Sequence, residues 1–339
     1  MCAQAQICLT LESESVTIIV YFSHSQEGDK MKDQYFREID YARIGVTDSC
    51  NLSCHYCKSE DRVVNQLSGE QLKVIVDTLD KLGFRKLRFT GGEPLLNPDI
   101  ASIIAYASNT ENIRDIGLTT NGVLLDRYLD KFVNVGLKRI NISLDSLDKK
   151  KFFEITKSNK LEQVLANIVS AREKGLVVKV NVVLMKGVND DEIFDFLEFG
   201  RNNDVQFRFI ELMPIGHNHD YIKGKQLSTT TLFKNYQKIE KRPNCKDVSD
   251  YYVDQFGYVF GIISPMSNHF CKTCNRVRFT SDAKLRLCLH SDKDIDISPY
   301  LNNQEQLLSI MVKSIIEKPE EHRLYDNKVS KRAMNRIGG

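Results

Sequence analysis

Between about Tyr41 and Pro214 the chain repeats one pattern: a short β-rich run, then a helical stretch. The strand candidates are 41–47, 86–90, 115–119, 138–144, 176–184 and 205–211. Each crossover returns the chain to the same end of the sheet, so these strands are parallel. The fold class is α/β, with a barrel-like or doubly wound sheet. One helix is predicted from Ser68 as N-cap, with Gln71 as its capping-box partner. Leu72, Ile75, Val76, Leu79 and Leu82 follow the helical period, and Gly83 ends it. Further helices are predicted at 161–174 and 190–202. The rhythm breaks over 215–250. A helix from Thr229 to Ile239, β-like runs around 251–263 and 275–287, and a helix over 304–317 follow. The terminal Met334-Asn335-Arg336-Ile337-Gly338-Gly339 cannot form a helix end in isolation.

One face of each strand is polar. Arg43, Gly45 and Thr47 alternate with Ala42, Ile44 and Val46. Lys86 and Arg88 alternate with Leu87 and Phe89; Asn141 and Ser143 with Ile140 and Ile142. Lys179 alternates with Val178 and Val180, and Arg208 with Phe207 and Phe209. Side chains alternate at period two, so the apolar sets face the helices and the polar sets share one interior. Buried Arg43, Lys86, Arg88, Lys179 and Arg208 need partners, and a bound polyanion such as a nucleotide phosphate chain is the simplest. Overall charge points elsewhere: 47 Lys and Arg against 45 Asp and Glu leave +2. That balance gives no sign of a general polyanion binder such as a chromatin or ribosomal protein. No apolar run reaches the ~18 residues of a membrane span.

Six of the nine cysteines fall into two triplets. Cys50, Cys54 and Cys57 follow the first strand. Cys271 and Cys274 precede Cys288. Close thiolates chelate soft metals. A structural zinc site wants a fourth ligand, for which His55 serves the first triplet and Cys245 or His269 the second. A cubane iron–sulfur cluster on three cysteines leaves one iron open. Cys2, Cys8 and Cys245 otherwise read as small apolar or tail residues. The first 30 residues carry no Lys or Arg before Lys30, and the apolar run Val16 to Phe22 is too short for a secretory signal. They read as a tail, an extra strand, or read-through ahead of a start at Met31.

The CxxxCxxC of Cys50 to Cys57, with Tyr56 before the last cysteine, and Thr90-Gly91-Gly92-Glu93-Pro94 resemble radical S-adenosylmethionine enzymes. The second triplet, followed by Asn275-Arg276-Val277-Arg278, is more particular. With GLTTNG from Gly117, INISLD ending at Asp145, KVNVV from Lys179 and the terminal Gly338-Gly339, it resembles the GTP 3′,8-cyclases of molybdenum cofactor biosynthesis. The resemblance runs from about Phe36 to Gly339.

It implies a partial (β/α)6 TIM-like barrel with a carboxy-terminal α+β segment. The implied division is an extension over 1–35, the radical barrel over 36–225, and an auxiliary-cluster segment with its Gly-Gly tail over 226–339. A [4Fe-4S] cluster on Cys50, Cys54 and Cys57 would cleave S-adenosylmethionine, which Tyr56, Gly92, Ser143 and Met213 would contact. A second [4Fe-4S] cluster on Cys271, Cys274 and Cys288 would hold guanine. Arg43, Arg88, Thr119, Lys179, Arg276, Val277 and Arg278 match positions around GTP; Lys86 and Arg208 join them from the strand-face argument. The deoxyadenosyl radical would take hydrogen from the ribose 3′ carbon, which then attacks guanine carbon 8. Arg43, Arg276 and Arg278 are candidates for the late reduction or proton delivery. Side-chain-free Gly338-Gly339 could thread a narrow site.

The resemblance also implies a reducing cytoplasm, flavodoxin or ferredoxin as electron donor, and hand-over of product to cyclic pyranopterin monophosphate synthase. It is compatible with a homodimer, and no nucleic-acid or membrane partner is expected. One departure is Ser49, which stands where the family usually has Arg. Two competing readings remain: a radical enzyme that modifies a peptide, and a zinc-stabilised nucleic-acid-binding protein. His217, His219 and His269 are assigned no role.

Overall fold

The computed structural model describes residues 11–12, 15–16, 30–58, 64–216, 219–234, 239–242, 248–322, 330 and 332–338. The readings on Cys2, Cys8, Cys245, His217, Gly339 and the Val16 to Phe22 run past Val16 lie outside them.

Six strands run in parallel in chain order: β1 Tyr41–Thr47, β2 Lys86–Gly91, β3 Asp115–Thr120, β4 Arg139–Ser143, β5 Val177–Leu184 and β6 Gln206–Glu211. The predicted bounds differ from these by a residue or so, as fraying ends do. The apolar sets pack as expected. Ala42, Ile44, Val46, Leu87, Phe89, Ile140, Ile142, Val180, Phe207 and Phe209 are fully buried in one core. Each large side chain so placed contributes about 1.5–3 kcal/mol.

Helices cover that outer face. In α1, Gly69–Lys81, Ser68 accepts from the Gln71 N–H, and the Gln71 side chain accepts from the Ser68 N–H, so the predicted capping box is complete. Next come α2 Ile100–Ser108, α3 Leu129–Asn134, α4 Lys149–Thr156, α5 Leu161–Glu173 and α6 Ile193–Asn203. The sequence reading did not delimit α2, α3 or α4, of which only α4 has a side-chain cap, from Asp148. Two short helices follow, α7 His219–Lys225 and α8 Thr229–Lys234. The helix expected to reach Ile239 is helical only to Lys234 among the described residues, and Ile239 is not helical.

Leu11–Glu12 and Ser15–Val16 pair with each other in a separate two-stranded sheet; the remaining strands extend both edges of the large sheet. At the β6 edge stand β7 Glu240–Lys241, β8 Asp250–Val253 and β9 Val259–Ile263, with β9 parallel to β6. At the β1 edge stand β10 Arg276–Phe279, β11 Lys284–Arg286 and β12 Ile295–Asp296, with β10 parallel to β1. The order in the 12-stranded sheet is β12-β11-β10-β1-β2-β3-β4-β5-β6-β9-β8-β7. β12 and β7 do not pair, so the barrel stays open. Helix α9, Gln304–Ile316, leads to a tail that ends in α10, Met334–Ile337.

The β9–β10 link spans the open side, and Glu211 anchors it. This buried carboxylate at the end of β6 accepts from the N–H groups of Thr229, Met266 and Ser267 at 3.0, 2.9 and 3.0 Å. The single turn α10 exists because tertiary contacts supply what a hexapeptide lacks: Ile337 is fully buried, and the Asn335 side chain donates to the Asp48 carbonyl at 3.0 Å. No helix among the described residues is long and apolar enough to cross a membrane.

Candidate active site

The first triplet sits on the loop leaving β1, at the carboxy-terminal end of the parallel strands. Two glycines let β2 press against it. The Gly92 N–H donates to the Thr47 carbonyl at 2.8 Å, and the Glu93 N–H to the Ser49 carbonyl at 2.7 Å. A β-carbon on Gly92 would lie 2.2 Å from the Ser49 carbonyl oxygen; Gly91 takes φ +140°, which L side chains rarely adopt. Cys50 accepts from the Leu52 N–H at 3.4 Å and from the Asn121 side-chain amide at 3.8 Å. Cys50, Cys54 and Cys57 line one pocket with Asp48, Asn335 and Arg336.

Buried carboxylates support this loop. Glu93 accepts from the Thr120 hydroxyl at 2.6 Å and the Asn121 N–H at 2.7 Å, yet burial raises it to about 7. The Tyr56 hydroxyl donates to Asp145 at 2.6 Å, and burial raises Asp145 to about 6. Burial also pushes the thiols of Cys50 and Cys57 up to about 11 and about 12. Thiolates there need positive charge beside them. Three soft donors facing one pocket fit an iron–sulfur cluster with one iron left open. Tyr56, Gly92, Ser143 and Met213 all lie on loops or last residues at this same end of β1, β2, β4 and β6.

The second triplet lies at the opposite end. Cys271 opens a turn just before β10, and Cys288 follows β11, which runs antiparallel to β10. β1 is seven residues long, so the two triplets are separated by roughly 20 Å of strand. Arg37 pins the turn: its Nη1 donates to the Cys271 carbonyl at 2.8 Å, and its Nε pairs with Asp33 at 2.6 Å. Burial would raise the Cys274 thiol, but the cations of Lys318, Arg276 and Arg37 outweigh it and lower it. These donors also fit a cluster. Three histidines crowd the turn, His269 and His322 with ring centroids 4.4 Å apart and His290 with His322 at 4.8 Å.

A guanidinium row runs between the triplets. Strand register sets Arg278 beside Arg43 and Arg43 beside Arg88. Arg88 and Arg278 are buried. Arg88 Nη1 and Arg276 Nε are buried with no hydrogen-bond partner among the described residues. Arg278 meets the Gly338 carbonyl rather than a carboxylate. Burial and mutual repulsion hold Arg43 and Arg278 below the usual guanidinium range. Burial opposes ionisation of Tyr41, but Arg43, Arg88 and Arg276 bring its phenol down to about 6. Such a field calls for an anion.

Other predicted residues fall around this row. Thr119, Asn141, Lys179 and Gln206 are register neighbours on β3 to β6, and Arg208 donates to the Asn181 side chain at 3.0 Å. Lys86 is not interior: as the first residue of β2 it is exposed at the second-triplet end. The Val277 side chain is fully buried in the apolar core, on the face opposite Arg276 and Arg278. Sequence reasoning missed Tyr41, Asn121 and the packing of α10 against the first triplet. Tyr41 alternates with Ala42 just as Arg43 does, so strand period could have found it.

Gly117 makes room for Arg88. A β-carbon there would lie 1.5 Å from Arg88 Nη1, the movable end of a long side chain. Gly117→Ala is therefore expected to displace the guanidinium and weaken binding of a polyphosphate anion about tenfold, while stability changes by under about 1 kcal/mol. Calorimetry with inorganic tripolyphosphate and thermal melts check both halves.

The Radical SAM superfamily model matches residues 44–200, which include the first triplet. The Molybdenum Cofactor Synthesis C model matches residues 205–324, which include the second. The GTP 3′,8-cyclase of Alkaliphilus oremlandii is 41% identical over 320 residues, covering 91% of this chain and 100% of that protein. The GTP 3′,8-cyclase of Listeria monocytogenes serotype 4b is 38% identical over 330 residues, covering 91% and 99%. Among solved structures, Streptococcus suis SuiB bound to precursor peptide SuiA aligns with a TM-score of 0.62 at 14% identity, covering 88% of this chain and 76% of that one. That likeness shows the fold alone. The extent and identity of the sequence matches establish that the chain belongs to the GTP 3′,8-cyclase family of the radical SAM superfamily.

Proposed function

We propose that this protein cyclises GTP to (8S)-3′,8-cyclo-7,8-dihydroguanosine 5′-triphosphate, the first step toward molybdenum cofactor. The observation that carries this reading is the buried guanidinium row, with unsatisfied donors on Arg88 and Arg276, lying between two cysteine triplets. A triphosphate answers that charge, and a nucleotide has the length to reach from the row toward either end.

Cys50, Cys54 and Cys57 would hold one [4Fe-4S] cluster, and Cys271, Cys274 and Cys288 the second. With S-adenosylmethionine the first cluster supplies the radical that removes the ribose 3′ hydrogen. Arg43, Arg88, Lys179, Arg276 and Arg278 bind and orient the triphosphate, with Thr119 and Arg208 beside them. Tyr56, Gly92, Ser143 and Met213 border the S-adenosylmethionine position. Arg278, bonded to Gly338, and Arg43 stand where a proton could be held during the late reduction. Residues 36–225 carry the radical half of this division of labour, and 226–339 the substrate-cluster half. Flavodoxin or ferredoxin would supply electrons, and cyclic pyranopterin monophosphate synthase would take the product.

A zinc protein would bring its ligands together on one ion. Cluster ligation instead spreads three sulfurs over three iron corners.

The test is anaerobic incubation with GTP, S-adenosylmethionine and dithionite. A chromatographically distinct isomer of GTP, formed together with 5′-deoxyadenosine, is expected, from protein holding about eight irons in two cubane clusters. Zinc in place of iron, or 5′-deoxyadenosine without consumption of GTP, would overturn the reading.

A further inference from the structure

The chemistry above leaves Lys318 without a role, although it is only 2% exposed. It stands just past Glu317, the C-cap of α9, and its main-chain N–H donates to the Ile315 carbonyl at 3.1 Å. Its Nζ donates to the Leu287 carbonyl. An ammonium has three donors, and this carbonyl is the only acceptor Nζ meets among the described residues. No carboxylate among them pairs with it. A buried cation offered a dipole but no anion is costly.

The anion is implied by the surroundings. Leu287 is the residue before Cys288, so Lys318 holds one arm of the second triplet. The next two carbonyls, of Pro319 and Glu320, accept from Arg37 at 2.6 and 2.7 Å, and Arg37 also holds the Cys271 carbonyl. The segment 318–320 thus meets the Cys288 arm directly, through Leu287, and the Cys271 arm through Arg37. By contrast, the buried neighbours of the first triplet include the carboxyls of Glu93 and Asp145.

Resting on the reading that the second triplet carries a [4Fe-4S] cluster, we infer that Lys318 is that cluster's buried counter-cation, which raises its reduction potential and holds the Cys288 arm. A cubane held by thiolates carries net negative charge, and one-electron reduction adds more. A fixed ammonium in a low-dielectric setting therefore favours the reduced state. Lys318 is a positioning residue: it acts through the Leu287 carbonyl and the cluster.

The test is a redox titration followed by electron paramagnetic resonance on the reconstituted full chain and on Lys318→Gln and Lys318→Arg. Gln keeps a donor for Leu287 without the charge; Arg keeps the charge. The second cluster's signal is the one retained when Cys50, Cys54 and Cys57 are all changed to Ser. Lys318→Gln is expected to disfavour its reduction by about tenfold, a fall of about 59 mV for one electron. Lys318→Arg should stay near the parent, and the first cluster should not move. An unchanged potential in Lys318→Gln overturns the inference. If Lys318→Gln loses the second cluster while Lys318→Arg keeps it, charge is the requirement and the inference stands. If both lose it, the role is packing and the inference falls. A parent chain with only about four irons would refute the two-cluster reading itself.

Discussion

Cys271→Ser is expected to keep reductive cleavage of S-adenosylmethionine while losing GTP conversion by about 100-fold or more. The separation follows from placement. Cys271 lies at the start of β10, and the first triplet lies beyond the far end of β1. Nothing in the Cys50 loop depends on the Cys271 side chain; the Arg37 bond goes to its main-chain carbonyl. The fold and the first cluster should therefore persist. On the proposed function, what is lost is the group that would fix guanine, and with it the approach of the ribose 3′ carbon to the radical. Iron content should fall from about eight toward four. Assays of 5′-deoxyadenosine and of cyclised nucleotide, run on one sample, read the two activities apart. Cyclisation at the parent rate would remove the second triplet from the substrate site.

Gly92→Ala is expected to act at the other end and to abolish both activities. Its β-carbon would meet two main-chain oxygens, of Ser49 at 2.2 Å and of Asp48 at 2.6 Å. Backbone cannot yield as a flexible side chain can, so the β2 loop and the cysteine loop must separate. That breaks the bonds from Gly92 to Thr47 and from Glu93 to Ser49. Overpacking of this kind costs about 1–3 kcal/mol. The first cluster should be lost or unable to cleave S-adenosylmethionine, while the second triplet keeps about four irons. A variant that still forms 5′-deoxyadenosine at the parent rate would show that this close approach is dispensable. The contrast with Gly117→Ala is instructive, because there the obstacle is a side chain that can swing away.

Much of the strand framework was legible because period two and period 3.6 are local properties. Ser68 and Gln71 announced α1, and Ala42, Ile44 and Val46 announced the core face of β1. The short, uncapped α3 carried no comparable signal. Lys86 was misjudged for a different reason. Alternation assigns a face, but it does not say where along the strand the barrel begins to enclose it. Lys86 stands at the rim and Arg88, two residues on, is buried.

Long-range assembly was illegible. The tail looked too short for structure, yet α10 packs beside the first triplet, with the Arg336 Nε 3.7 Å from Asp48.

The +2 charge and the alternation of strands and helices are properties of the sequence alone. So are the two cysteine triplets and the polar face that carries Arg43 and Arg88. Residue identity and spacing determine them, since side-chain direction within one strand follows from backbone geometry. Which ends of the strands the triplets occupy, which arginines become neighbours, and which cations lose water were decided only by tertiary structure. Those depend on β10 pairing with β1 across more than 200 residues of chain, and hydrogen-bond register at that distance leaves no local mark.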